Sequence, residues 1–346
     1  MSRQQWTDFL QQQGIELDPE ANAVIGAECA AEPQVVPLLE RGALSLQGPQ
    51  AEQFLQGQVT CDLNRLSTEQ SLLGANCTPK GNVVSAFRLL KMEEESLRLL
   101  LPRAILEPAL ANLKKYIIFS KAELTDASDA WVGVGLQGAG APALVEALMG
   151  STPQAEGTQV KQDELVAVRV PGDRFEIWGP VAAMTSRWPQ IAEGASVAPS
   201  RAWQRTELAA GLPQLDAQSV EAYLPHMLNL QALDAISFEK GCYTGQEVVA
   251  RMQHRGKLKK LLYRGRVQTA NAPETGEGLH TPQRRSVGKV LASVPLPEGG
   301  YEIQAIINKG AADEDELRLG DQDGPAVTLL ALPYPIDPAL FERPSR

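Results

Sequence analysis

The stretch Lys240-Gly241-Cys242-Tyr243-Thr244-Gly245-Gln246-Glu247 decides the reading of this chain. It sets a thiol two residues after an ammonium, between two glycines, with a carboxylate close behind. Glycine lets a backbone turn sharply or approach a ligand closely. A nearby lysine favours the thiolate, the reactive form of cysteine. If the segment is extended, Lys240 and Cys242 project to the same side. The local chemistry leaves two readings open. One is a reactive Cys242 with Lys240 as its partner. The other is a glycine-bounded turn with an incidental cysteine.

The electrostatics change just beyond. Arg251, Arg255, Lys257, Lys259, Lys260, Arg264 and Arg266 place a charge of +7 in a stretch with no Asp or Glu, inside a chain of net charge −10. Such a segment is either a solvated strand edge or a site for an acidic ligand or an RNA backbone. Trp203 and Tyr243 are each either a wall for a flat heterocycle or core filler. Lys80 and Arg88 flank a turn that feeds a strand and can line a cleft or cap that strand. No P-loop, dinucleotide-binding glycine pattern or Ser-His-Asp order is present.

Upstream, Leu38–Gln47 reads as a strand, Gly48-Pro49 as a turn and Gln50–Gln58 as a short helix. Gly81–Leu90 and Leu97–Leu101 read as strands, and Arg103–Tyr116 as a helix through Ile105, Leu106, Leu110 and Leu113. A second round follows: strand Trp131–Leu136, a helix through Leu144 and Leu148, a hairpin around Pro171-Gly172-Asp173, and helices over Val181–Trp188 and Ala202–Ala210. Beyond residue 256, Leu261–Gln268, Ser286–Val294, Tyr301–Asn308 and Ala326–Leu332 predict an antiparallel barrel or sandwich. Residues 1–34 read as an extension that starts with an amphipathic helix through Trp6, Phe9 and Leu10.

At 346 residues with 43% hydrophobic and 21% charged side chains, the composition is that of an ordinary globular protein of two or three domains. The acidic balance disfavours non-specific nucleic-acid binding by the whole surface. No secretory start and no membrane-spanning stretch is apparent, so a cytoplasmic protein without membrane attachment is expected. Cys29, Cys61, Cys77 and Cys242 show no C-x-x-C spacing, and no histidine clusters with them, so no metal site is expected. Reduced thiols are the default.

Lys240–Glu247 resembles the signature of the YgfZ-type folate-binding proteins, relatives of the glycine-cleavage aminomethyltransferase. Leu44–Asn64, with Gly48, Phe54, Leu55, Gln56, Gly57, Gln58, Val59, Thr60 and Asp62, is similar to the family's N-terminal block. Lys80-Gly81 to Leu89, Trp203–Asp216 with Gly211-Leu212-Pro213, and Asn229–Phe238 agree in order and spacing. The resemblance covers roughly residues 38–335.

The resemblance implies an α+β fold: an aminomethyltransferase-like folate-binding ring of two interleaved α+β subdomains plus a C-terminal antiparallel β-barrel. The implied division is an extension over 1–34, the folate-binding region over 35–255 and the barrel over 256–346. It implies tetrahydrofolate as cofactor, and iron–sulfur enzymes or their assembly proteins as partners, including enzymes that modify tRNA. Cys242 and Lys240 become the functional pair. Trp203, with Tyr243, Glu207 and Arg255, is expected around the folate, and Arg251–Arg266 is a candidate tRNA contact. Two departures stand out. The family's transferases carry a catalytic Asp after the Lys80-Gly81 turn, where this chain has Val84 and Ser85. The family often has Glu-Ala-Gly where this chain has Ala209-Ala210-Gly211, leaving Glu207 as the nearest carboxylate. The rival expectations are a folate-dependent one-carbon transferase or demethylase, with Glu207 or Glu247 as its base, and a tRNA-binding module without chemistry of its own.

Overall fold

The computed structural model describes the whole chain except residues 29–30, 256, 314–315 and 342–346 and the side chain of Arg255. The chain divides into two compact units, 1–55, 63–73 and 87–203 forming one and 56–62, 74–86 and 204–346 the other.

The first unit holds a six-stranded sheet. Its strands lie in the order Gln159–Gln162, Leu165–Val170, Arg174–Pro180, Trp131–Gln137, Gln34–Pro37, Ser196–Val197. The central strands read as nearly unbroken apolar runs because both faces are buried. Strand alternation sorts their side chains into two cores. Leu165 and Ala167 face one cluster with Val132, Val134, Leu136 and Ile177. Val166, Val168 and Val170 face the other with Trp131, Trp178 and Trp203.

The second cluster explains the glycines of Trp131-Val132-Gly133-Val134-Gly135. A Cβ on Gly133 would lie 2.6 Å from the Trp178 ring, and one on Gly135 2.5 Å from the Trp203 ring. The two missing side chains make room for two indoles. Leu90, Leu100 and Ala43 complete this cluster. They come from a second sheet in which Val83–Glu93, Ser96–Pro102, Arg41–Gln47 and Glu123–Asp126 lie side by side, with Leu72–Cys77 at one edge.

Two expectations shift here. The expected strand over Leu38–Gln47 is shorter, Arg41–Gln47, and a separate strand, Gln34–Pro37, precedes it across a tight turn in which Arg41 N donates to Leu38 O at 3.2 Å. The expected helix over Arg103–Tyr116 opens as a 3-10 turn, becomes the helix Leu106–Lys114, and ends in a second 3-10 turn, Ile117–Phe119.

Residues 1–34 are more than an appendage. The helix Arg3–Gln12 starts at a capping box, in which Ser2 and Gln5 bond each other's backbone N–H. Its Trp6 and Leu10 are fully buried in the first core cluster. Trp6 meets Trp188 edge-on, with ring centroids 5.5 Å apart. Sequence periodicity shows the amphipathic face but not what covers it.

The second unit contains a closed barrel of Lys260–Val267, Tyr301–Asn308, Gly288–Pro295, Gly278–His280, Leu317–Leu319 and Ala326–Leu330, in that order round the barrel. Its interior is aliphatic, from Val267, Leu279, Val290, Ile303, Ile307 and Val327 among others. Four of these strands follow the sequence pattern. The two others are three residues long, too short for alternation to register.

Replacing Trp6 by alanine is expected to lower the unfolding free energy by about 3–5 kcal/mol, the usual range for emptying a buried aromatic site. Denaturant unfolding checks this. A change no larger than about 0.5 kcal/mol, the range of surface substitutions, would show that the N-terminal helix is not part of the core.

Candidate functional site

The signature lies in the second unit as an irregular segment that runs into the helix Gln246–Arg255. Because it is not a strand, Lys240 and Cys242 do not share an environment. Lys240 is only 7% exposed, whereas Cys242 faces solvent. The Lys240 ammonium donates to three backbone carbonyls: Gln56 at 2.7 Å, Val59 at 2.9 Å and Cys61 at 2.6 Å. A lysine ammonium has three protons and no acceptor, so these bonds use its whole donor capacity. Burial draws its pKa down to about 8, offset by Cys61 and then Asp62. At neutral pH it therefore keeps the third proton that the third carbonyl needs.

This arrangement solves a local problem. Residues 56–62 form a seven-residue excursion whose carbonyls do not all enter a sheet, and buried backbone groups need partners. The rest of the signature and the segment just before it fasten the same excursion. Thr244 N donates to Gly57 O at 3.1 Å, and its hydroxyl to Gln58 Oε1 at 3.1 Å. Ser237 N donates to Thr60 O at 2.8 Å, and the Thr60 hydroxyl to Ala235 O at 2.6 Å. Thr60 N in turn reaches Ala75 O at 2.9 Å.

The two signature glycines have different reasons. Gly245 adopts φ +87°, and a Cβ there would lie 2.6 Å from Thr78 O and 3.1 Å from Gly81 Cα. It seals the signature against the Cys77–Gly81 turn. Gly241 has neither constraint: its φ is ordinary for any residue and nothing lies within 4 Å of a Cβ placed on it. Gly241 and Cys242 thus form an open, exposed tip beside a clamped base.

Tyr243 turns inward. Its ring lies 5.3 Å from the Lys240 ammonium, and its hydroxyl is buried without a hydrogen-bond partner. Burial pushes the phenol up, with Cys77 and Cys61 adding to the effect. The Cys77 thiol is itself pushed up to about 12 by burial. The buried Cys77 thiol is therefore a poor nucleophile beside the exposed Cys242. The Ser85 hydroxyl is also buried without a partner.

Glu207 sits on the helix Ser200–Ala209, buried, and its Oε2 accepts from Gln214 Nε2 at 3.2 Å. Gln304 locks the same loop, donating to Leu212 O at 2.8 Å and accepting from Gln214 N at 3.1 Å. Tyr334 stacks on Gly211 and donates to its carbonyl at 2.8 Å.

Trp203 departs from the sequence expectation. In the first unit's core it is 0% exposed, with the Arg174 guanidinium 4.4 Å from its ring centroid. It therefore offers no open face on which a heterocycle could stack. The alternating glycines of Gly133-Val134-Gly135 were the sequence signal that large rings fill this core. The Arg255 side chain lies outside the described residues. The basic stretch is partly neutralised: Arg251 pairs with Glu247, Arg264 with Glu302 at 2.7 Å and Arg266 with Glu298 at 3.4 Å. Lys257, Lys259 and Lys260 remain as exposed cations. Among the described residues no cluster of His, Cys, Asp or Glu could hold a metal ion, and no helix is long and apolar enough to cross a membrane.

Lys240→Met is expected to destabilise the protein by at least about 3 kcal/mol, because three carbonyls lose their donor at about 1–3 kcal/mol each. Denaturant unfolding measures this, and the alkylation rate of Cys242 separates the two roles for lysine. A clamp predicts a large stability loss under conditions where folded protein still alkylates at the wild-type rate. Unchanged stability with slowed alkylation would make Lys240 an activator of the thiol instead.

Comparison with known proteins bears on the fold and the family. Residues 7–171 match the family described as the GCVT N-terminal domain. The solved structure of the glycine cleavage system aminomethyltransferase T from Bartonella henselae superposes with a TM-score of 0.72 at 15% identity, covering 94% of this chain and 96% of that one. That likeness establishes an aminomethyltransferase fold. The tRNA-modifying protein YgfZ of Yersinia enterocolitica is 35% identical over 296 residues, 84% of this chain and 89% of that protein. The protein of the same description from Yersinia pseudotuberculosis is 34% identical over the same length. With the signature, the fold and this degree of identity in agreement, the chain belongs to the YgfZ family.

Proposed function

We propose that this protein binds tetrahydrofolate and serves as an accessory factor for the assembly or repair of iron–sulfur enzymes, including enzymes that modify tRNA. The observation that carries the reading is the division of labour inside the signature. Lys240 and Gly245 fix its base, Tyr243 points a partnerless hydroxyl inward, and Gly241-Cys242 stands open to solvent.

The residues fit a folate. A pterin presents a hydrogen-bonding edge, and a buried hydroxyl without a partner is costly until something bonds it. The Tyr243 and Ser85 hydroxyls are two such groups. Glu207, held by Gln214, is a third polar candidate. Lys257, Lys259 and Lys260 suit the carboxylates of a glutamyl tail. Trp203 takes no part as an open wall, since its ring is core. When bound, a reduced folate supplies one-carbon or reducing chemistry. The chain's own contribution is to hold that group and to keep one thiol accessible.

Cys242 is the group that meets the partner. Its surroundings allow close approach, because Gly241 places no side chain beside it. Lys240 acts as a positioning residue through residues 56–61, with no proton left to offer the thiol. Of the carboxylates considered as transferase bases, Glu247 is exposed and engaged by Arg251, and Glu207 is bonded to Gln214. Neither placement favours proton transfer on a bound folate over the accessory role.

Two substitutions test the two halves of this reading. Tyr243→Phe is expected to weaken tetrahydrofolate binding about 5- to 10-fold, the worth of one hydrogen bond, without loss of stability; calorimetry and unfolding measure the two. Unchanged affinity would remove Tyr243 from the folate site. Cys242→Ala is expected to bind tetrahydrofolate like wild type yet fail to restore iron–sulfur enzyme activity in a strain lacking the native gene. Full restoration would take Cys242 out of the mechanism.

A further inference from the structure

Among the described residues, Met1, Ile25, Tyr116, Ile118 and Phe119 are the exposed large apolar side chains. Three of these five fall within four consecutive positions. Phe119 is 94% exposed and Ile118 76%. Scattered apolar residues on a surface are ordinary, but a contiguous apolar tip marks a contact site.

The tip is held by an ordered base. The helix Leu106–Lys114 ends there, and Tyr116 N donates to Leu113 O at 3.1 Å. The 3-10 turn Ile117–Phe119 follows, closed by Ser120 N donating to Ile117 O at 2.8 Å. On the far side Lys121 N donates to Gln50 Oε1 at 2.6 Å, and Gln50 N to Lys121 O at 3.2 Å. Gly48 is needed for this seat, because a Cβ there would lie 2.6 Å from Lys121 O. The fold therefore presents Ile118 and Phe119 outward from both sides.

The charge within the segment itself is one-signed, with Glu107 and Glu123 lying just beyond it. Lys114, Lys115 and Lys121 are exposed, and no Asp or Glu occurs between Pro108 and Ala122. A flat aromatic face with cations around it is the composition that binds single-stranded nucleic acid: bases stack on the ring and phosphates meet the lysines. A protein pocket would have to desolvate three lysines, a residue type depleted from such interfaces. A bilayer surface calls for an amphipathic helix or two anchoring signals, whereas this turn has three residues.

We propose that Tyr116–Lys121, with Lys114 and Lys115, is a docking knob for an unpaired loop of a folded RNA. Phe119 is the main stacking platform, Tyr116 a second, and Ile118 packs against the base or ribose beside them. As regards RNA, this rests on the proposed link to tRNA modification. It moves the contact away from the Arg251–Arg266 stretch, where three arginines are already paired.

The test is binding of purified total tRNA, followed by fluorescence anisotropy across a salt series. Phe119→Ala is expected to weaken binding roughly tenfold. The triple variant Lys114→Ala, Lys115→Ala, Lys121→Ala is expected to lower the slope of log affinity against log salt by roughly 2. Both variants keep the wild-type tetrahydrofolate affinity and Phe119→Ala also the wild-type melting temperature, because Lys114, Phe119 and Lys121 are exposed; the triple variant loses in addition only the bond from Lys115 Nζ to Asn112 Oδ1 at 3.3 Å. Phe119→Ala binding tRNA like wild type would overturn the proposal. So would wild-type protein that binds tetrahydrofolate but no tRNA, a result that leaves the folate reading intact. Binding to anionic vesicles in place of tRNA, or loss of complementation by Phe119→Ala with tRNA binding unchanged, would assign the knob to a membrane or a protein and equally overturn it.

Discussion

One ammonium group holds the signature together. Lys240 spends all three protons on carbonyls of a single excursion, Gln56, Val59 and Cys61. Backbone oxygens turned inward without a ladder partner are costly, and charged donors bond them more strongly than neutral ones. Much else in the second unit hangs on that bond set. It brings the Gln56–Asp62 block against Ala235–Thr244, seats Thr60 where it bridges Ala235 and Ala75, and leaves Cys242 at an open tip. A lysine two residues before a cysteine invites the idea of thiolate activation. The geometry gives the pair a different relation, in which one residue builds the platform and the other is displayed on it.

The first unit obeys a volume constraint of a similar kind. Three tryptophans share one core cluster, and two of them fit only because Gly133 and Gly135 carry no side chain. Close packing leaves little freedom here, since a single added methyl would meet an indole ring. Arg174 lies over Trp203 in the same interior. Trp203 is thereby a structural residue, and the aromatic character proposed for the folate site falls to Tyr243.

Much of the architecture was legible in the sequence, and the exceptions have physical causes. The long strands and most helices follow from period-2 and period-3.6 patterns. The barrel strands Gly278–His280 and Leu317–Leu319 did not register because three residues are too few to show a period. The break at Leu38–Glu40 was hidden because both flanking strands are apolar and the turn between them lacks glycine. At the site, the signature was recognisable as a unit, but its internal roles were not. Whether a lysine faces a thiol or three carbonyls depends on residues some 180 positions away in sequence. The ion pairs within the basic stretch were hidden for a related reason. Glu298 and Glu302, which pair with Arg266 and Arg264, come from distant parts of the barrel sequence. The helix expected over Arg103–Tyr116 takes in Tyr116 but not Ile117–Phe119, and its early close at Lys114 turns this tip outward.

The central claim is that the Lys240 ammonium anchors the Gln56–Asp62 excursion to the signature. Amide hydrogen exchange, followed peptide by peptide in wild type and Lys240→Met under conditions where both remain folded, tests it most directly. The account predicts faster exchange confined to residues 56–62 and 235–244, with the barrel strands protected as before. Unchanged protection of residues 56–62 in the variant would contradict it.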